Sequence, residues 1–215
     1  MNTIEIELRY EVIDHDQLTK FVEPLQELGS KQDIDIYYDN NDSLLYQKGI
    51  FIRNRNNRKL DIKFNRACLD NPDLAIQDYC EEHSFALPLL ANDLPKITEL
   101  LISLNLKPSP AADFEQIKDA NNFIEHYVVD KKRTSYAHKG FTICVDEVAD
   151  LGTFLEIELM AKDIDDLENI KQEMELLLVS LTLRPLRTGY GTLLLRKKDF
   201  KQYLQGRFIL EEDKA

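Results

Sequence analysis

The stretch Ile4-Glu5-Ile6-Glu7-Leu8-Arg9-Tyr10 alternates apolar and charged residues, the period of a strand with one apolar and one polar face. Glu5, Glu7 and Arg9 share the polar face. Two carboxylates beside a guanidinium can grip a metal ion and a phosphate, although most charged strand faces are simply solvated. The pattern recurs along the chain. Glu156 and Glu158 oppose Leu155, Ile157 and Leu159 on a second Glu-x-Glu strand. Phe51, Arg53 and Arg55 oppose Ile50 and Ile52, and Asp61 and Lys63 oppose Leu60, Ile62 and Phe64. In an open sheet these charges would face water. In a closed one they would line an interior, where unpaired charge is expensive. Acids and bases together there suit a polyanion held through metal ions.

The elements that must position these residues read as strands broken by a few helices. A helix is expected from Asp16 to Gly29, with Leu18, Phe21, Val22, Leu25 and Leu28 near helical spacing and Pro24 as an internal obstacle. Strands are expected over 33–39, 49–56 and 59–65, the last two joined by the hairpin loop Asn56-Asn57-Arg58. A further strand is expected over 75–87 and a helix over 95–106, ended by Lys107-Pro108-Ser109-Pro110. The segments 123–137 and 141–148 form a hairpin around His138-Lys139-Gly140, and Asp150-Leu151-Gly152 turns the chain into the second Glu-x-Glu strand. Helices are expected over 164–183 and 192–205. No linker or repeat divides the chain, so residues 1–215 read as one domain, with a C-terminal helix and tail from about 192.

Bulk properties narrow the function classes. The 215 residues are 43% hydrophobic and 31% charged, the balance of a soluble globular chain with a sizeable core. No apolar run is long enough to cross a bilayer. The first residues lack the layout of a signal peptide. Cys68, Cys80 and Cys144 form no Cys-x-x-Cys pair, so reduced thiols and a cytoplasmic location are expected. A net charge of −12 argues against nucleic acid or an anionic membrane as partner, yet leaves room for a local basic cavity. His15, His83, His126 and His138 are scattered and suggest no base.

In this order the motifs resemble the CYTH superfamily, the triphosphate tunnel metalloenzymes. The family's Glu-x-Glu-x-Lys appears as Glu5-Ile6-Glu7-Leu8-Arg9, its paired arginines as Arg53 and Arg55, and its following strand lysine as Lys63. Its late run appears between Asp146 and Glu158, through Leu151-Gly152-Thr153-Phe154. The resemblance implies an α+β fold, a closed antiparallel β-tunnel of roughly eight strands with helices packed outside. It implies that Glu5, Glu7, Asp146, Glu156 and Glu158 hold Mg²⁺ or Mn²⁺, with Glu5, Glu7 and Glu158 central to catalysis. It implies a phosphate clamp of Arg9, Arg53, Arg55, Lys63 and Arg133. Lys131 shares the parity of Arg133. Glu82 matches a mid-chain glutamate of the family, with Glu81 one register step away.

The implied activity is metal-dependent hydrolysis of the terminal phosphate of a small-molecule triphosphate, whether inorganic, thiamine or nucleoside triphosphate, by a monomer or homodimer. The alternatives are an adenylyl cyclase of class IV type and a non-catalytic nucleotide- or polyphosphate-binding module. The chain departs from the family pattern at Arg9, which replaces the motif lysine. It departs again at Cys80, where relatives often carry arginine, and at Thr188-Gly189-Tyr190, where relatives show Lys-Ser-Tyr. The His-Phe start of class IV cyclases is missing.

Overall fold

The computed structural model describes residues 4–71, 73–76, 79–161 and 166–214. In chain order the elements are β1 (Ile4–Val12), α1 (His15–Val22), β2 (Gln26–Asp39), α2 (Leu44–Lys48), β3 (Phe51–Arg55), β4 (Lys59–Phe64), α3 (Arg66–Asp70) and β5 (Tyr79–Ala86). Then come α4 (Leu94–Ser103), α5 (Phe114–Asn121), β6 (Ile124–His138), β7 (Phe141–Val148), β8 (Gly152–Ala161), α6 (Leu167–Leu177), β9 (Leu183–Leu186), α7 (Tyr190–Lys198) and α8 (Phe200–Tyr203). The strands pair in the order β5-β4-β3-β2-β6-β7-β8-β1, and β1 closes the ring on β5. One edge of β1 is divided: residues 4–6 pair with β5 and residues 9–12 with β9, while β8 takes the other edge. The result is a closed antiparallel eight-stranded barrel with an extra strand at its rim and helices packed outside, an α+β fold.

Closure places the apolar core outside the ring. Ile6, Ile143, Leu155 and Ile157 pack with Leu18 of α1 and Met174 of α6. Ile52, Leu60, Ile62 and Phe64 pack with Leu101 of α4 and Ile117 of α5. Each such side chain, fully buried, contributes about 1.5–3 kcal/mol. Period-two alternation then turns the other face of every strand inward, so the barrel encloses its polar residues.

The structure corrects several expected boundaries. The first helix ends at Val22 rather than Gly29, because Pro24 lacks the N–H that a further turn would need. Residues 26–32 extend β2 instead, along β6. Gly29, expected to end the helix, sits at a register shift in that ladder with φ of +141°, a conformation glycine tolerates. Short α2 forms between the expected strands 33–39 and 49–56, because the Asp39 carboxylate accepts from the N–H groups of Leu45 and Tyr46. Asp113 caps α5 in the same way through Glu115 N–H. The strand expected over 75–87 is observed from Tyr79, and residues 77–78 lie outside the described residues. The helix expected over 164–183 is observed over Leu167–Leu177, with 164–165 outside the described residues and Leu183 in β9. The last expected helix breaks at Asp199 into α7 and α8. Both expected hairpin turns form, with positive φ at Asn56 and Asn57 and at Lys139 and Gly140. Among the described residues no helix is long and apolar enough to cross a membrane.

Helix α7 is locked to the barrel by one close approach. A Cβ at Gly191 would collide with the ring edge and hydroxyl of Tyr127 on β6, and that ring stacks on Tyr37 at 4.7 Å. Gly191→Ala should therefore overpack the contact by roughly 1–3 kcal/mol and lower Tm by roughly 2–12 °C. Calorimetry checks this; an unchanged Tm would mean that α7 is not anchored there.

Candidate active site

The barrel interior is a cavity of about 550 Å³, within the ~300–1,000 Å³ usual for small-molecule sites. Its wall carries Glu5, Glu7 and Arg9 from β1, Arg53 and Arg55 from β3, Lys63 from β4, Glu82 from β5, Lys131 and Arg133 from β6, and Glu156 and Glu158 from β8. These residues come together because their strands close into a ring and because each occupies the inward parity of its strand. Glu82 is the inward glutamate, 3.3 Å from Arg53. Glu81 lies on the outward face with Arg66 and His83.

On one wall, one carboxylate oxygen each of Glu5, Glu7 and Glu158 lies within 4.8 Å of the others. Glu7 and Glu158 are direct cross-strand partners, a like-charge pair that is destabilising unless a cation is shared. Three basic side chains reach this cluster, one of them Arg9, whose Nη2 lies 3.0 Å from Glu7. Lys63 Nζ lies 2.6 Å from Glu5 and 3.1 Å from Glu7, and Arg133 Nη1 lies 2.6 Å from Glu158. Burial raises the Glu158 carboxyl to about 7; the charges of Glu156, Glu5 and Glu7 push the same way and Arg133 opposes them. Three hard oxygen donors converging on a cation fit Mg²⁺ or Mn²⁺, which favour carboxylates and retained water.

Asp146 and Glu156, expected beside those three as metal ligands, fall outside the three-carboxylate group and pair with basic side chains. Asp146 is fully buried and absent from the cavity wall. It accepts from Lys131 at 2.7 Å and from Arg133 Nε and Nη2 at 2.7 and 2.6 Å. Glu156 is gripped by Arg9 and Arg133. Burial would raise its carboxyl, but Arg133, Arg9 and Lys131 together hold it well below the usual carboxylate range. Both acids aim the basic groups rather than join the carboxylate cluster.

The opposite wall is built the same way. Arg55 makes a bidentate pair with Asp35 at 2.7 and 3.0 Å. Arg53 binds Asp61 at 3.0 Å and lies 3.4 Å from the Tyr37 hydroxyl. Ser84 donates to the other oxygen of Asp61 at 2.7 Å. The guanidiniums of Arg9, Arg53 and Arg133 stay charged although burial opposes it, because their acids outweigh burial. Lys131 is held below its ordinary range, by burial first and then by Arg133.

Asp35, Tyr37 and Tyr127 were not singled out from the sequence, and Tyr190 only as part of the run Thr188-Gly189-Tyr190. For Asp35 and Tyr37 a signal existed, since both share the parity of β2 that pairs with Arg55 and Arg53. Tyr190 carries no such signal, because a helix brings it in. The departures from the family pattern also find places. Arg9 reaches across to the Thr188 carbonyl at 2.7 Å, a tie between β1 and the turn before α7. Cys80 faces the cavity near Glu5, and burial pushes its thiol up to about 12. It is a neutral wall where an arginine would add charge.

The family model described as the CYTH domain matches residues 3–185. No curated protein sequence matches the chain. Among solved structures, the chain is similar to the PH1819 protein from Pyrococcus horikoshii OT3, with 25% identity, TM-score 0.59, and 90% of this chain and 99% of that chain covered. A Vibrio parahaemolyticus protein described as a candidate adenylate cyclase shows 18% identity, TM-score 0.59, and coverage of 90% and 99%. HpAC1 from Hippeastrum, described with a dominant triphosphatase activity, shows 16% identity, TM-score 0.55, and coverage of 91% and 95%.

The raised Glu158 carboxyl has a consequence for stability. A folded pKa of about 7 against roughly 4.3 unfolded means that ionising Glu158 costs the folded state. The loss begins as pH rises through the unfolded value and is complete just above the folded one. In chelator, Glu158→Gln should match the parent Tm near pH 4 and exceed it by an amount that grows to about pH 7 and then levels, worth on the order of 1–3 kcal/mol. A Tm gap independent of pH would refute this placement of Glu158.

Proposed function

The chain belongs to the CYTH family, and from that membership we propose that it hydrolyses the terminal phosphate of a small-molecule triphosphate inside its tunnel, with Mg²⁺ or Mn²⁺. The observation that carries this reading is the division of the interior. A three-carboxylate cluster occupies one wall, and acid-braced arginines occupy the rest of the ring. Glu5, Glu7 and Glu158 would hold the metal. When bound, the ion neutralises phosphate oxygens and makes a water molecule acidic enough to attack.

The other residues bind and orient. Arg53 and Arg55 present fixed forks to non-bridging oxygens, which suits a transition state whose charge spreads over the transferred phosphoryl group. Asp61 and Asp35 hold those forks in place before substrate arrives, so little reorganisation is left for the reaction. Arg133 and Arg9 extend the clamp, braced by Asp146 and Glu156. Lys63 now sits between Glu5 and Glu7. Metal binding would free its ammonium to meet phosphate instead.

The reported triphosphatase activity of HpAC1 agrees with this reading, although at 16% identity the likeness carries the fold alone. A narrow tunnel in a chain of charge −12 favours a small anion over nucleic acid. The described cysteines are all free and buried, which supports a reducing, cytoplasmic setting. We take the protein to act as a monomer or homodimer without a membrane.

Glu7→Gln and Glu158→Gln should each lower metal-dependent phosphate release from tripolyphosphate on the order of 10²–10³-fold while the circular dichroism spectrum stays that of the parent. Retained turnover in both variants would end the assignment, and cyclic AMP formed from ATP would replace it with the cyclase reading. Arg53→Met should mainly raise KM and leave Asp61 held only by Ser84 and Lys59. A stability loss below the ~3–5 kcal/mol of a fully unpaired buried charge is expected with it, and Asp61→Asn in the same chain should recover part of that loss.

A further inference from the structure

Arg9 commits its three nitrogen atoms to three different partners. Nε donates to Glu156, Nη2 to Glu7 at 3.0 Å, and Nη1 to the Thr188 carbonyl at 2.7 Å. A lysine, with one nitrogen, could not span them. Both acids belong to Arg9's own part of the wall: Glu7 lies two residues away on β1, and Glu156 is the cross-strand partner on β8. Both are also shared, Glu7 with Lys63 at 3.1 Å and Glu156 with Arg133. The Thr188 carbonyl comes from a third element, the connection between β9 and α7.

Residues 187–189 of that connection form neither strand nor helix, so something else must hold the carbonyl still. The Thr188 side chain does so. It is 0% exposed, and its Oγ1 donates to the Phe208 carbonyl at 2.6 Å. Phe208 is held in turn. Its ring stacks on Phe51 of β3 at 6.2 Å, and it packs so close to Gly49 that a Cβ there would come within 2.5 Å of the ring. The neighbouring Arg207 donates to the carbonyls of Leu74 at 2.9 Å and Asn71 at 2.8 Å. A run of fixed contacts therefore leads from β3 and the carbonyls of Asn71 and Leu74, through Arg207 and Phe208 near the C-terminus, to Thr188 and so to Arg9.

We propose that Thr188 is a positioning residue for the triphosphate site. Its carbonyl sets the angle of the Arg9 guanidinium, and its hydroxyl ties that carbonyl to the C-terminal strap of Arg207 and Phe208. A polyanion that draws on Lys63 and Arg133 shifts the acids that share them. The anchored backbone carbonyl does not shift, and it keeps Arg9 aimed, as a supporting residue does for one that touches the ligand. The proposal rests on the triphosphate reading and adds to it a residue that acts only through Arg9.

A double-mutant cycle with Arg9 tests it. The readouts are calorimetric affinity for sodium tripolyphosphate in chelator and, with Mg²⁺, KM and kcat for phosphate release. Thr188→Val keeps the branched shape and removes the hydroxyl. It should weaken binding and raise KM roughly 3–10-fold while kcat stays within about 2-fold, and Thr188→Ser should restore both. In an Arg9→Lys chain the single nitrogen has none to spare for Thr188 once it meets the acids, so Thr188→Val should change affinity there by less than about 2-fold. Tm should fall in either background, because the Phe208 carbonyl loses its donor. A purely structural Thr188 would lower affinity equally in both backgrounds, and that result overturns the proposal. Parent-like affinity in a folded Thr188→Val overturns it too. Should Thr188→Val fail to fold, Arg207→Met loosens the strap from its other end. Weaker binding there that vanishes in the Arg9→Lys chain supports the proposal, and parent-like affinity overturns it. A parent that binds tripolyphosphate yet releases no phosphate loses the hydrolase reading alone, since the affinity cycle still decides the role of Thr188.

Discussion

A charge removed from water must find a counter-charge, and the interior of this barrel is organised by that requirement. An isolated buried ion costs several kcal/mol, and the ring encloses carboxylates, guanidiniums and ammoniums together. Each inward arginine is met by at least one acid on a neighbouring strand: Arg55 by Asp35, Arg53 by Asp61 and Glu82, Arg133 by Asp146, Glu156 and Glu158, Arg9 by Glu7 and Glu156. Antiparallel pairing makes this possible, since it sets inward residues of adjacent strands side by side. The apolar half of each strand is left outside, where the helices cover it.

The pairing is uneven, and the unevenness points to function. Asp35, Asp61, Asp146 and Glu156 lie behind or between the guanidiniums and have little exposure. Glu5, Glu7 and Glu158 instead crowd against one another, with the ammonium of Lys63 at 2.6 and 3.1 Å from two of them and Arg133 on the third. The first group is a brace that keeps basic groups charged and aimed. The second is a set of negative charges partly satisfied by groups that a polyanion would draw away. A metal ion together with a phosphate chain would satisfy both walls at once. The long-range partners of this network lie on separate strands and a terminal helix, so the site exists only in the closed barrel.

Legibility followed the local periodicity. Strand parity, read from alternation alone, put Glu5, Glu7, Arg9, Arg53, Arg55, Lys63, Glu156 and Glu158 on inward faces, because side-chain direction in a strand repeats every two residues whatever the fold does. The short helices α2 and α5 were missed, since they depend on carboxylate caps more than on apolar spacing. The extent of β2 was missed because a helical apolar pattern ran across Pro24, and a proline N without hydrogen overrides such a pattern.

What the sequence by itself determined is the alternation that separates an apolar from a charged face on every strand, together with the motif order that marks the CYTH family. Both are local or collinear properties, carried by residue type and spacing. Tertiary structure alone decided which charges share a partner. Closure of β1 on β5 brings Lys63 to Glu5 across 58 positions of chain, and α7 returns to lay Tyr190 beside Arg9. It also divided the acids, setting Asp146 and Glu156 against arginines and leaving Glu5, Glu7 and Glu158 together. The reason is that a carboxylate's role depends on the distance and sign of its neighbours in space, and spacing along a chain does not encode the angle through which a barrel turns before it closes.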